Sequence, residues 1–157
     1  MAQVPHSHLR YKRALLIFIL AYIAVTVFAI ALSMAFEAIM HPPPSNDMVH
    51  SPSYLLSERF YPLINLLVWS ALSWVYFKPF RNTLVPYRQA FALGAFWLAL
   101  ALVVDYVGFV LIKNPLSLSV HDFYVGQFPW IYLIYLAIFI SPNLCLVLKS
   151  RLRVAQV

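Results

Sequence analysis

Apolar residues in this chain come in long, unbroken runs, without the alternation of a half-buried strand. The runs cover Ala14–Phe36, Tyr61–Phe77, Ala90–Ile112 and Phe128–Leu148. A helix needs roughly 20 residues to cross about 30 Å of hydrocarbon. The first, third and fourth runs meet that length. The second is shorter but gains reach from Arg59 and Lys78, whose stems can snorkel from either end. The pattern predicts an all-α integral membrane protein: a single membrane domain over 1–157, built as a four-transmembrane-helix bundle with spans 14–36, 61–77, 90–112 and 128–148.

Prolines punctuate the runs. His41-Pro42-Pro43-Pro44 stops the first helix and leaves it as a stiff extended turn. Pro62 and Pro129 fall at the expected first turns of the second and fourth helices, where a missing N–H costs nothing. Pro142 lies inside the fourth run, which is expected to bend there and release the carbonyl of Ile138. Ser33-Met34-Ala35 behind a basic N-terminus has the look of a signal-peptide cleavage site. The first run is longer than the 7–15 apolar residues of such a peptide, so a retained span is expected.

Composition agrees with the pattern. Of 157 residues, 63% are hydrophobic and 10% charged, against about 25% charged in an ordinary soluble domain. So few charges cannot cover a water-soluble surface, which excludes a soluble globular enzyme, and the apolar content excludes disorder. The net charge of +6 comes from 11 Lys+Arg against 5 Asp+Glu, and position gives it meaning. Arg10, Lys12, Arg13, Lys78, Arg81, Arg88, Lys149, Arg151 and Arg153 flank one set of span ends, whereas only Arg59 and Lys113 flank the other. The positive-inside rule then predicts both termini in the cytoplasm (N-in/C-in), with a plasma-membrane location. The basic clusters are placed to meet anionic lipid headgroups of the bilayer, and no basic stripe interleaved with exposed aromatics suggests nucleic acid. Tyr54, Phe60, Tyr61, Phe123, Tyr124, Phe128 and Trp130 at one interface, with Tyr76, Phe77 and Tyr87 at the other, form the expected aromatic belts.

Several chemistries drop out. The lone Cys145 excludes an internal disulfide and a thiolate metal site. All five histidines (His6, His8, His41, His50 and His121) lie outside the spans, where they cannot ligate a haem between helices. Their spacings match no metal motif. Three glycines provide no phosphate loop, and no GxSxG elbow is present. Neither a metal nor a cofactor is expected.

What remains is polarity inside the apolar runs, the usual mark of function in a membrane protein. Asp105 is the single acid there, about 10 Å from the outer end of its helix. It shares a helical face with Gly94, Leu98, Ala101, Gly108 and Ile112, a mostly small-residue face that lets neighbours approach. The second helix aligns Asn65, Trp69 and Ser73, and the first aligns Tyr22, Thr26, Ser33 and Glu37. The fourth offers Tyr132 and Tyr135 in its outer half, with Asn143 towards the cytoplasm. Ser33, Asn65, Asp105, Tyr132 and Tyr135 agree in depth, with Glu37, Glu58, Arg59, His121 and Asp122 above them. The expectation is an outward-facing polar cavity centred on Asp105. Arg59, Asn65, Tyr132 and Tyr135 are the candidate partners of its carboxylate, and Glu37, His121 and Asp122 the outer-loop candidates.

The segment Val103-Val104-Asp105-Tyr106-Val107 superficially resembles a catalytic-aspartate segment of lipoprotein signal peptidases. That family implies a second aspartate at the following helix, and Phe128-Pro129-Trp130-Ile131-Tyr132 supplies no acid, so a carboxylate dyad is absent and the assignment is set aside. The leading expectation is a small carrier, or a binding or accessory subunit, whose cavity receives a small ligand, a proton or a lipid headgroup. Four helices enclose little alone, which favours a homo-oligomer or a larger membrane complex. The alternatives are an intramembrane enzyme acting on a lipid or lipid-linked substrate at the outer leaflet, with Asp105 as base, and a purely structural or immunity-type interaction protein.

Overall fold

The computed structural model describes residues 9–42, 51–80, 87–113 and 117–154. Within them α1 (Tyr11–Met40) is followed by a short α2 (Pro52–Ser57), which runs through a 3-10 turn (Glu58–Phe60) into α3 (Tyr61–Phe77). α4 (Tyr87–Asp105) continues as a π-helix (Tyr106–Leu111), and a second π-helical turn (Asp122–Gly126) precedes α5 (Trp130–Val154). No strand occurs among the described residues. Four helical stretches are long and apolar enough to cross a membrane: Tyr11–Met40, Pro52–Phe77, Tyr87–Leu111 and Trp130–Arg151.

The boundaries differ from the apolar runs where local chemistry overrides hydropathy. α1 outruns its run at both ends and stops at His41, which takes the left-handed conformation (φ 48°, ψ 49°) while its N–H donates to the Glu37 carbonyl at 3.0 Å. The following Pro42 disfavours right-handed helix at His41, so the helix ends there. α5 begins at Trp130, with Pro129 just ahead of it, and the Pro129 carbonyl accepts from Leu133 N at 3.1 Å. The third run is not one regular helix. It widens after Asp105 into the i to i+5 pattern, with Ile112 N donating to Val107 O at 3.0 Å. Pro142 lies fully buried inside α5. Because it has no N–H, the Ile138 carbonyl lacks its i+4 donor.

α1 runs antiparallel to α3, and α4 to α5, and α5 packs between α3 and α4 while α1 lies mainly on α3. The basic ends are stitched together directly. Arg13 Nη2 donates to the Val75 carbonyl at 2.7 Å near the end of α3, and the Arg10 N–H donates to the Tyr76 hydroxyl at 3.2 Å. An arginine at a helix C-terminus meets the negative end of the dipole, and the Val75 carbonyl accepts from Arg13 as well as from the Lys78 N–H. Next along the bundle comes an aromatic column. Phe18 and Trp69 have ring centroids 5.6 Å apart, Trp69 and Trp97 5.2 Å, and Trp97 and Tyr76 6.2 Å. All four are buried, and the Trp97 indole N–H donates to the Ala14 carbonyl at 2.9 Å.

α4 and α5 cross very closely at Gly94. A Cβ on Gly94 would run into the backbone carbonyl of Phe139. Glycine is therefore required at this position by the proximity of two backbones.

The polar stripe of α3 is satisfied along its own length. Asn65 Nδ2 donates to the Tyr61 carbonyl (2.9 Å), Trp69 Nε1 to Asn65 Oδ1 (3.0 Å) and Ser73 Oγ to the Trp69 carbonyl (2.7 Å). This ladder gives each of the three polar side chains a hydrogen bond within α3 itself.

Candidate functional site

Asp105 is the last residue of α4 proper and is 7% exposed. Two hydroxyls meet its carboxylate. Tyr22 of α1 donates to Oδ1, and Tyr135 of α5 donates to Oδ2 at 2.9 Å. A charge removed from water costs several kcal/mol unless it is paired or hydrogen-bonded, and here one donor arrives from each side. The three residues tie α1, α4 and α5 together at one level.

Above this level, on the side away from the basic ends, lies a cavity of about 460 Å³. Asp105 and Trp69 form its floor, and the aromatic column beneath Trp69 closes it towards the basic ends. Its walls are apolar: Val25, Ala29 and Ile30 of α1, Phe109 of the π-helix, and Ile131 and Ile134 of α5. Its far end is a group of hydroxyls. Ser33 Oγ lies 2.9 Å from Ser57 Oγ and 2.7 Å from the Tyr61 hydroxyl, and Ser57 Oγ lies 2.9 Å from Tyr61. Close by, Gln127 Nε2 donates to the Tyr54 hydroxyl at 3.3 Å. Tyr22 and Ser33 are eleven residues apart on α1, so floor and hydroxyl group are separated by about 16 Å at 1.5 Å per residue.

The cavity opens sideways. Thr26, Ile30, Met34 and Glu37 line it and are also exposed along α1. At the basic end α1 is held to α4 by the Trp97 indole, and opposite that end it is held to α2 through Ser33 and Ser57.

The π-helix changes which residues line this space. Regular helical spacing placed Gly108 and Ile112 on the face of Asp105. Phe109, four residues after Asp105, lines the cavity as regular spacing allows; because wider turns carry more residues per revolution, Val110 is buried and Ile112 turns outward at 56% exposure in an extended conformation.

The sequence candidates divide accordingly. Asp105 and Tyr135 are in contact, and Asn65 and Ser33 line the cavity without touching the carboxylate. Asn65 spends its amide on Tyr61 and Trp69. Glu37 stands at the mouth. Tyr132, expected beside Asp105, is instead half exposed with its ring 5.8 Å from that of Phe128, because the α5 azimuth that reaches Asp105 belongs to Tyr135. Arg59 is exposed on the 3-10 turn and does not line the cavity. His121 and Asp122 lie outside it as well. They contact each other at 3.6 Å, and Ser119 donates to Asp122 at 2.7 Å, closing the turn that starts the second π-helical segment. His41 is described and exposed, whereas His50 and Asp47 fall outside the described residues. Among the described residues no group of three or more His, Cys, Asp or Glu is placed to hold a metal ion.

Tyr22 is the contact sequence reasoning missed. It stood on the polar stripe of α1, but depth counted from Ala14 put it nearer the basic end than Asp105. The structure removes that offset: Ala14 meets Trp97 and Tyr22 meets Asp105, so α1 and α4 keep one register and the first apolar run starts well inside α4.

Comparisons with models of protein families, with curated proteins and with solved structures find no match to this chain. Function must be argued from the cavity.

Proposed function

We propose that this protein is a membrane-embedded binding subunit whose cavity holds a small amphiphile in the outer half of the bilayer. The observation that carries the reading is a one-ended chamber of about 460 Å³ with a carboxylate at its floor. Ligand pockets span about 300–1,000 Å³ and combine mostly apolar walls with a few convergent polar groups. The sideways opening along Thr26, Ile30 and Met34 suits an occupant that arrives through lipid. The basic ends are assigned to the cytoplasm by the positive-inside rule, which directs the hydroxyl group and the mouth outward.

Binding is favoured over transport because the aromatic column seals the floor, and a carrier would have to part it. Catalysis is less favoured because the groups the sequence offered to assist Asp105 divide: Tyr135 already donates its hydroxyl hydrogen to the carboxylate, and His121 and Asp122 do not line the cavity.

Purification in a mild maltoside detergent followed by native mass spectrometry tests the proposal. The native chain should retain a non-protein mass that Ala29→Trp, which fills the cavity waist, does not. Equal retention by the two proteins, or no retained mass in either, would overturn the binding reading.

A further inference from the structure

We infer that the occupant is an amphiphilic monocation whose ammonium group sits on Asp105, an inference that rests on the cavity reading above. Four observations converge on it. First, among the described residues the charges that line the cavity are Asp105 and Glu37, and no described Lys, Arg or His lines it. An anionic head would meet like charge with no compensation, whereas a cation supplies the missing partner. Second, the deep hydrogen-bond donors are already spent. The Tyr22 and Tyr135 hydroxyls donate to Asp105, and the Trp69 indole donates to Asn65.

Third, acceptor capacity is left over. An ionised carboxylate offers about four lone-pair sites, and the two tyrosines occupy one on each oxygen. Fourth, Trp69, Tyr22 and Phe109 line the same space, and aromatic faces attract a desolvated ammonium most strongly where water is excluded. The apolar walls between floor and hydroxyl group then take the tail.

Such a head can come from a free lipophilic amine or from a choline-type lipid headgroup, which adds a phosphate. Three probes with the same eight-carbon tail separate the cases in maltoside micelles: octyltrimethylammonium, octylphosphocholine and octanol. Equilibrium dialysis gives Kd for each against the native chain, Asp105→Asn, Asp105→Glu and Ala29→Trp. Circular dichroism and gel filtration select the variants that fold.

The expected result is octyltrimethylammonium binding that weakens by about tenfold or more in Asp105→Asn, since the only charge facing the desolvated cation at the floor is removed. Asp105→Glu should keep most of it, which excludes a mere loss of fold. Octanol should bind the native chain and Asp105→Asn alike. If octylphosphocholine follows the ammonium, the source is a lipid headgroup; if it does not bind, the source is a free amine. Equal ammonium binding to native and Asp105→Asn proteins, with octanol still displaced by Ala29→Trp, would overturn the monocation and leave the cavity reading standing. Indifference of all three probes to Ala29→Trp would overturn the cavity reading itself.

Discussion

Asp105 is tolerable inside an apolar bundle because Tyr22 and Tyr135 each give it a hydrogen bond. Interhelical hydrogen bonds within membranes contribute roughly 0.6 to 1.7 kcal/mol each. Tyr135→Phe should therefore lower stability by about that amount in thermal unfolding in detergent. The same change in an Asp105→Asn background should cost less than half as much, because groups that share one partner are not additive. Equal losses in both backgrounds would show that Tyr135 acts elsewhere. Asp105 stood out in the sequence as the single acid in an apolar run, and Tyr135 stood at its depth. Choosing Tyr135 over Tyr132 was beyond the sequence, since both lie in one half of the helix and its rotation is set by packing against α3 and α4. Tyr22 was hidden because the apolar runs start at different levels: Ala14 lies beside Trp97, so residue counts from the two run starts are out of step.

Gly94 and Gly108 are alike in sequence, in one helix run and on one expected face, and the structure separates them completely. Gly94→Ala would force α4 and α5 apart at the Phe139 carbonyl, whereas a Cβ at Gly108 meets nothing within 4 Å. Overpacking typically costs about 1–3 kcal/mol, and backbone cannot step aside as a side chain can. Gly94→Ala should therefore lie at the upper end of that range, with Gly108→Ala near neutral; comparing the two unfolding midpoints decides it, and a neutral Gly94→Ala would refute the close crossing. Hydropathy made the four long helices legible, and α3 matches its run residue for residue at Tyr61–Phe77. The π-helix after Asp105 was illegible for a physical reason. Its residues Tyr106–Leu111 are as apolar as those before them, and a widened turn leaves no mark in hydropathy, yet with it Val110 is buried and Ile112 turns outward.

At the scale of the whole molecule, charge sets orientation. Pro79 and Lys113 are both exposed, at opposite ends of the bundle. A cysteine at Lys113 should react with a membrane-impermeant maleimide on intact cells, and one at Pro79 only after permeabilisation. The native Cys145 is buried and should stay silent. The reverse pattern would invert the assignment of the hydroxyl group to the outside. The sealed floor also has a kinetic consequence. A chamber with one doorway has no other exit, so entry and departure cross the same barrier. Bulk added at Met34, which stands at the opening and faces the surface, should slow association and dissociation by the same factor and leave the equilibrium constant where it was. A substitution at Asp105 should do the opposite, shortening the residence time while hardly touching the on-rate, as is usual when contacts within a bound complex are weakened. Stopped-flow traces would then assign each residue to the doorway or to the seat by the rate constant it moves.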